Sequence, residues 1–174
     1  PPVAGTPEML NAIKGWLVDR YGLSAETISA TKNIIAVSGT REALYMAGAI
    51  SIPPHKQKRQ PIVLIPNPFY QVYIGSALMN QSQPVYMPAT AENNFLPAFH
   101  SLDEETLTRT ALAFLCSPSN PQGAVASLEY LKEAILLARK YDFVLAIDEC
   151  YAEIYDVAPP SGGLEACKAL GGGY

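Results

Sequence analysis

An apolar run that ends in two carboxylates constrains the fold of this chain more than any other stretch. Residues 143–151 read FVLAIDECY. The run predicts a strand buried on both faces, as in parallel sheets covered by helices. Ligands of open α/β sheets bind beyond the carboxyl ends of strands, so Asp148 is placed to meet one. If a helix begins after Asp148, Tyr151 lies on the same side of it; the alternative is that Asp148 only caps this helix.

The composition describes one well-buried domain. Of 174 residues, 49% are apolar and 16% are charged, and the net charge is -4; this excludes a disordered chain. The one basic cluster, residues 56–59, sits in a polar loop, so we expect no nucleic-acid partner. Three cysteines without metal-ligand spacing predict reduced thiols, no metal and a cytoplasmic location. No stretch approaches the ~20 apolar residues of a membrane span, and no export signal is visible.

Further apolar segments alternate with helical patterns along the chain. The segment at 83–88 is flanked by prolines, which predicts a position toward an edge of the sheet. Alternation of strands and helices indicates βαβ units with right-handed crossovers. We therefore expect a three-layer α/β fold: a mostly parallel sheet of about five strands with helices on both faces. The predicted strands are 34–37, 62–65, 83–88, 111–116 and 143–147.

A strand, a tight turn and a helix follow one another around Gly39. The first turn of such a helix leaves backbone N–H groups unpaired above the sheet, and Gly39, Thr40 and Arg41 would direct them at a phosphate. The alternative is an ordinary capped helix. Only one glycine is present, so the motif is weaker than a Walker loop.

Two more polar features follow predicted strands. Tyr70 follows the strand at 62–65 and can stack on a planar ligand, although packing against Phe69 and Tyr73 is the alternative. Asn120 stands between two prolines, which aim its amide at a partner; the alternative is a turn asparagine that bonds its own backbone. All these features lie at carboxyl ends of separate strands. Together they suit a planar, phosphorylated, heteroaromatic ligand with a ring nitrogen.

Four segments give the chain a family resemblance. SGTREAL at 38–44, NPFY at 67–70, SPSNPQG at 117–123 and DECY at 148–151 resemble the class I/II aminotransferases, the pyridoxal 5'-phosphate enzymes of fold type I. The resemblance covers essentially the whole chain. Within the family the chain is most similar to the succinyldiaminopimelate aminotransferases of lysine biosynthesis.

The resemblance implies a set of cofactor-binding residues. Gly39, Thr40 and Arg41 would hold the phosphate and Tyr70 would stack on the ring. Asn120 and Tyr151 would bind the phenolic oxygen, and Asp148 would face the pyridine nitrogen. That carboxylate would keep the nitrogen protonated, so that the ring accepts electrons from the substrate.

The family's Schiff-base lysine has no match in this sequence. We therefore expect residues 1–174 to be part of the large, cofactor-binding domain, without the catalytic lysine or the small domain. The implied activity is amino-group transfer from an amino acid to a 2-oxo acid by a homodimer, with this chain inactive alone. Alternatives are another fold type I enzyme (a C–S lyase or decarboxylase), a nucleotide-binding α/β module, and a remnant that binds nothing.

Overall fold

The computed structural model describes residues 3–173. Helices and strands alternate over most of the chain, and two 3₁₀ turns, Ala91–Asn93 and Phe99–Ser101, interrupt the connection after the second strand. In chain order the elements are α1 (Pro7–Tyr21), α2 (Thr40–Ser51), β1 (Ile62–Asn67), α3 (Gln71–Met79), β2 (Gln83–Pro88), α4 (Glu104–Arg109), β3 (Thr110–Cys116), α5 (Leu128–Tyr141), β4 (Val144–Asp148) and α6 (Gly163–Ala169).

Local signals of the sequence explain where the longest helices begin. Thr6 precedes α1 and its hydroxyl accepts a hydrogen bond from the Met9 amide, while Ser127 does the same for Tyr130 at the start of α5. Gly22 ends α1 in the left-handed conformation, with φ 60°. These are the capping geometries that favour such residues, because they pair backbone groups that the helix leaves free.

The strands form one parallel sheet in the order β2-β1-β3-β4. In this register Asn67 at the end of β1 lies beside Pro88, and Cys116 at the end of β3 lies beside Asp148. The carboxyl ends of the strands therefore share one edge of the sheet. The predicted α/β class with a mostly parallel sheet is confirmed, and β2 lies at an edge as expected.

Side chains alternate between the two faces of the central strands. On β1, Ile62 and Leu64 pack toward α5, whereas Val63 and Ile65 pack toward α2 and α3. All four are buried. This period of two, with helices over both faces, makes the sheet the middle of three layers. On the second face Gly48 of α2 lies so close to α3 that a Cβ there would be 2.0 Å from Ser76 Oγ.

The segment at 34–37 is not a strand, so the described sheet has four strands and not five. Ile35 is 66% exposed and Val37 is 43% exposed. Among the described residues, the segment's backbone forms one backbone hydrogen bond, from the Ala36 amide to the Ala4 carbonyl at 3.1 Å. β-branched residues favour an extended backbone, but a strand also needs a neighbouring strand, and none of the four described strands lies beside this segment.

The strand expected to be buried on both faces, β4, is an edge strand. Val144 is 47% exposed and only Asp148 of this strand is buried. The apolar residues of this run indicate that helices cover the two faces of the strand, here α2, α5 and α6. They carry no information on whether a further strand pairs with the backbone edge of β4. Within residues 3–173, no helix is long and apolar enough to cross a membrane.

Candidate cofactor pocket

A cavity of ≈ 220 Å³ lies at the carboxyl edge of the sheet. It is formed by the ends of β1, β3 and β4 together with the start of α2. Five of the seven residues predicted from the sequence line it: Thr40, Tyr70, Asn120, Asp148 and Tyr151. Gly39 and Arg41 are not among its lining residues, although they flank Thr40. Residues that are up to 111 positions apart (151 − 40) thus meet in one hollow.

The first turn of α2 faces this cavity without a side-chain cap. Gly39 is the N-cap residue, and its extended backbone, with φ 166°, brings no side chain to the N–H groups of the helix start. A Cβ at Gly39 would find no atom within 4 Å, so the space in front of the helix is open. The helix dipole and these free N–H groups favour an anion at this point.

The side chain of Arg41 turns to Tyr70. Arg41 Nε donates to the Tyr70 hydroxyl at 2.6 Å, and the guanidinium carbon lies 5.7 Å from the centre of the Tyr70 ring. Tyr70 also meets Tyr73 edge to face, with ring centres 6.0 Å apart. Arg41 therefore restrains the aromatic ring at the mouth of the cavity, a role that the sequence did not indicate.

Asp148 forms the buried floor of the cavity. It is 7% exposed, its Oδ2 accepts from the Tyr73 hydroxyl at 2.9 Å, and its Oδ1 accepts from the Cys150 amide at 3.3 Å. The chain after it forms a turn and not a helix. The alternative that Asp148 caps a helix is therefore wrong. A buried carboxylate without a cationic side-chain partner is costly unless something else compensates its charge.

Tyr73 also lines the cavity, and sequence reasoning missed its contact with Asp148. Its side chain is 1% exposed and its ring stacks on Phe114, with ring centres 4.5 Å apart. Burial and the negative charge of Asp148 raise the pKa of Tyr73, so it stays a hydrogen-bond donor. The available signal was its spacing of three from Tyr70, which puts both rings on one side of α3; we interpreted that spacing only as packing.

Asn120 and Tyr151 meet across the cavity. Asn120 Nδ2 donates to the Tyr151 hydroxyl at 3.2 Å. The loop that carries Asn120 is closed by two backbone bonds of 2.8 Å between Ser119 and residues 123 and 124. The Asn120 amide therefore points to a side chain from another strand end, in contrast to the alternative of a self-bonded turn asparagine.

Gln122 places an unpaired polar atom at the cavity. Its amide oxygen is buried and has no hydrogen-bond partner among the described residues. Buried carbonyl oxygens are nearly always paired, so this one indicates a donor supplied by a ligand or by water. Sequence reasoning did not single it out, because a glutamine in a turn is usually a solvated residue.

Two thiols lie beside the floor. Burial and the charge of Asp148 raise the pKa of Cys116, and the same two causes raise the pKa of Cys150 to about 12. Both thiols are free and protonated at neutral pH, so Asp148 supplies the negative charge here. Cys116 is buried, whereas Cys150 is exposed. None of the lysines in residues 3–173 lines the cavity.

The fold and this cavity define an α/β domain with a polar hollow at the carboxyl edge of its sheet. The sequence profile described as aminotransferase class I and II matches residues 1–161, and the chain belongs to this family. It is 33% identical to an LL-diaminopimelate aminotransferase of Halothermothrix orenii over 154 residues, which are 88% of this chain and 38% of that protein.

Solved structures agree with this assignment. An aminotransferase from Neisseria meningitidis superposes with a TM-score of 0.89 and 39% identity, over 99% of this chain and 42% of that chain. A probable N-succinyldiaminopimelate aminotransferase from Thermus thermophilus gives a TM-score of 0.78 and 25% identity, over 90% of this chain and 40% of that one. The chain thus spans about two fifths of the length of these relatives.

Proposed function

We propose that the cavity binds pyridoxal 5'-phosphate. The observation that carries this proposal is the convergence of five residues from separate strand and helix ends on one hollow, with a buried carboxylate at its floor. Family membership supports it, since the family resemblance implies this cofactor. The buried amide oxygen of Gln122, which has no hydrogen-bond partner among the described residues, is available to accept a hydrogen bond from the ligand.

Each group of the cofactor has a suitable partner in this donor set. The uncapped start of α2, with Gly39, Thr40 and Arg41, suits the phosphate. Tyr70 suits the ring face, and the Asn120–Tyr151 pair suits the phenolic oxygen. These assignments remain predictions of the sequence, and the shared cavity supports them.

Asp148 is the residue that would control the reactivity of the cofactor. When bound, pyridoxal 5'-phosphate supplies an electron-accepting ring that makes a proton on the substrate's α-carbon removable. The carboxylate of Asp148 would hold a proton on the pyridine nitrogen. A protonated nitrogen would also compensate the charge of Asp148, which forms no salt bridge with the residues that the structure describes. Tyr73 would orient the carboxylate through Oδ2.

The activity that fits this site is transfer of an amino group from an amino acid to a 2-oxo acid. The names of two relatives, LL-diaminopimelate and N-succinyldiaminopimelate aminotransferase, support a substrate of lysine biosynthesis. Residues 1–174 would be part of the large domain of such an enzyme, and they would show no turnover alone because none of the lysines in the described part of the chain lines the cavity. The free thiols fit a cytoplasmic location.

Incubation with pyridoxamine phosphate should show reversible, non-covalent binding. At about 0.3 kcal/mol for each of roughly 16 non-hydrogen atoms, the expected Kd is about 0.3 mM. After incubation with pyridoxal phosphate and borohydride, intact mass should show no stoichiometric adduct at a single site. Titration calorimetry against ATP and NAD is the control for a nucleotide-binding module. Tighter binding of either nucleotide, or a single-site adduct with turnover, would contradict the proposal.

A homodimer is the proposed assembly of the full-length protein. α2, whose first residue Thr40 lines the cavity, exposes Tyr45, Met46 and Ile50, and exposed apolar surface on one helix favours a protein interface. Sedimentation velocity on a form as long as its relatives should give a dimer, and Ile50→Lys should shift it toward monomer. A wild-type monomer at micromolar concentration would refute the assignment.

A further inference from the structure

The segment that carries Tyr151 has little structure of its own. Between the end of β4 and the start of α6, the backbone bonds around Tyr151 are two short turns: the Ala152 amide donates to the Glu149 carbonyl at 2.9 Å, and the Ile154 amide donates to the Tyr151 carbonyl at 3.0 Å. The segment after Asp148 forms no helix. The orientation of Tyr151 must therefore depend on contacts from other elements.

One such contact reaches Glu149, two residues before Tyr151. The hydroxyl of Tyr21, the last residue of α1, donates to Glu149 Oε2 at 2.5 Å, and the Gly163 amide donates to Oε1 at 2.6 Å. Tyr21 is buried. A carboxylate that accepts two short bonds has little freedom, so this side of the turn is held to α1 and α6.

A second contact reaches Ala152, the residue after Tyr151. Arg20 Nη2 donates to the carbonyls of Ala152, at 3.3 Å, and of Pro160, at 2.9 Å, while its Nε pairs with Glu153 Oε1 at 2.7 Å. The Arg20 side chain is 11% exposed. Three bonds to one largely buried guanidinium form a fixed fork, which a flexible ammonium could not reproduce.

The approach of the Tyr21 ring depends on a glycine. A Cβ at Gly162 would lie 2.3 Å from the Tyr21 ring, so only glycine lets α1 dock this closely. Elsewhere on α1, Met9 and Trp16 are exposed.

We infer that Arg20 and Tyr21 are positioning residues that hold the Tyr151 hydroxyl opposite Asn120. Tyr21 holds the side chain of Glu149 on one side of Tyr151, and Arg20 holds the backbone of Ala152 on the other. Both lie some 130 positions away from Tyr151 in the chain (151 − 21 = 130). Neither residue lines the cavity, so they act through Tyr151. The role of Tyr151 toward the ligand rests on the proposed function, whereas the contacts of Arg20 and Tyr21 with its turn do not.

The test uses Tyr21→Phe, which keeps the ring against Gly162 and removes only the bond to Glu149. We expect pyridoxamine phosphate to bind about threefold to tenfold more weakly, which corresponds to the net contribution of one hydrogen bond. In a Tyr151→Phe background the same change should cause no further loss, because its effect passes through that hydroxyl. A purely structural role would weaken binding equally in both backgrounds, and that additive outcome would overturn the inference.

Lys168→Met is the matched control. Lys168 Nζ donates to the Gly22 carbonyl at 2.6 Å, so this variant also loosens the end of α1, but it touches neither Glu149 nor Ala152. Binding by Lys168→Met should equal that of the wild type. An equal loss in Lys168→Met and Tyr21→Phe would count against a specific grip on the Tyr151 turn.

A second measurement needs no ligand. Hydrogen exchange of the Ala152 and Ile154 amides should be about tenfold faster in Tyr21→Phe than in the wild type and in Lys168→Met. If the wild type fails to bind pyridoxamine phosphate, the proposed function is wrong, and this exchange experiment still decides the grip. Unchanged exchange in Tyr21→Phe would overturn the inference by itself.

Discussion

Asp148→Asn should weaken pyridoxamine phosphate binding by about 10- to 100-fold while leaving the fold intact. A hydrogen bond between charged partners contributes about 1.5–3 kcal/mol, and the neutral amide cannot form an ion pair with a protonated ring nitrogen. The side-chain oxygen of asparagine still accepts from the Tyr73 hydroxyl, which donates to Asp148 Oδ2 at 2.9 Å. Titration calorimetry would measure the affinity, and urea unfolding would show whether stability is preserved.

The matched control for this charge removal is Asp142→Asn. Asp142 ends α5 in the left-handed conformation, which asparagine tolerates, and it does not line the cavity. Its affinity should equal that of the wild type. If Asp148→Asn also bound as the wild type does, the carboxylate would have no partner in the ligand, and the cofactor assignment would fail.

In a form that contains the Schiff-base lysine, Asp148→Ala should abolish most transamination.

Much of the fold follows from local signals in the sequence. The continuous apolar runs of β1 and β3 are bounded by prolines and polar turns, and both strands are buried in the middle of the sheet. Thr6 and Ser127 mark helix starts because their hydroxyls pair with backbone amides nearby. These features depend on residues close in sequence, so the sequence alone predicts them.

The errors concern neighbours that the sequence does not identify. Residues 34–37 and β4 have similar apolar patterns, yet the first has no strand beside it and the second lies at an edge. Strand pairing depends on chain crossovers and on what covers each edge, and neither leaves a local pattern. The turn after Asp148 is held by α1 in the same way, through contacts over long distances in the chain.

The site shows the same division. Strands of a parallel sheet have their carboxyl ends at one edge, which predicted that the polar residues beyond those ends would meet. Five of them do line one cavity: Thr40, Tyr70, Asn120, Asp148 and Tyr151. Which side chain contacts which was not predictable. Tyr73 lies on α3, stacks on Phe114 of β3 and donates from its hydroxyl to Asp148 at the end of β4. This pairing therefore requires the exact placement of α3 over both strands.

Tyr73→Phe should change how stability depends on pH. The variant leaves Asp148 Oδ2 without its donor, which should cost about 1–3 kcal/mol near neutral pH. The folded-state pKa of Tyr73 is raised by burial and by Asp148, whereas in the unfolded chain it is about 10. Above pH 10 the unfolded state loses this proton and the folded state keeps it, so the stability of the wild type falls by about 1.4 kcal/mol per pH unit from this group.

The phenylalanine variant lacks this group, so its deficit should be complete below about pH 10 and should shrink as the pH rises further. Urea unfolding of both proteins between pH 7 and pH 11 would measure the difference. Tyr45→Phe is the control, because Tyr45 is exposed on α2 and has no contact with Asp148; its curve should run parallel to that of the wild type. A constant difference between Tyr73→Phe and the wild type across this range would mean that Tyr73 does not keep its proton beside Asp148. The floor of the cavity would then be arranged differently from the hydrogen bond described here.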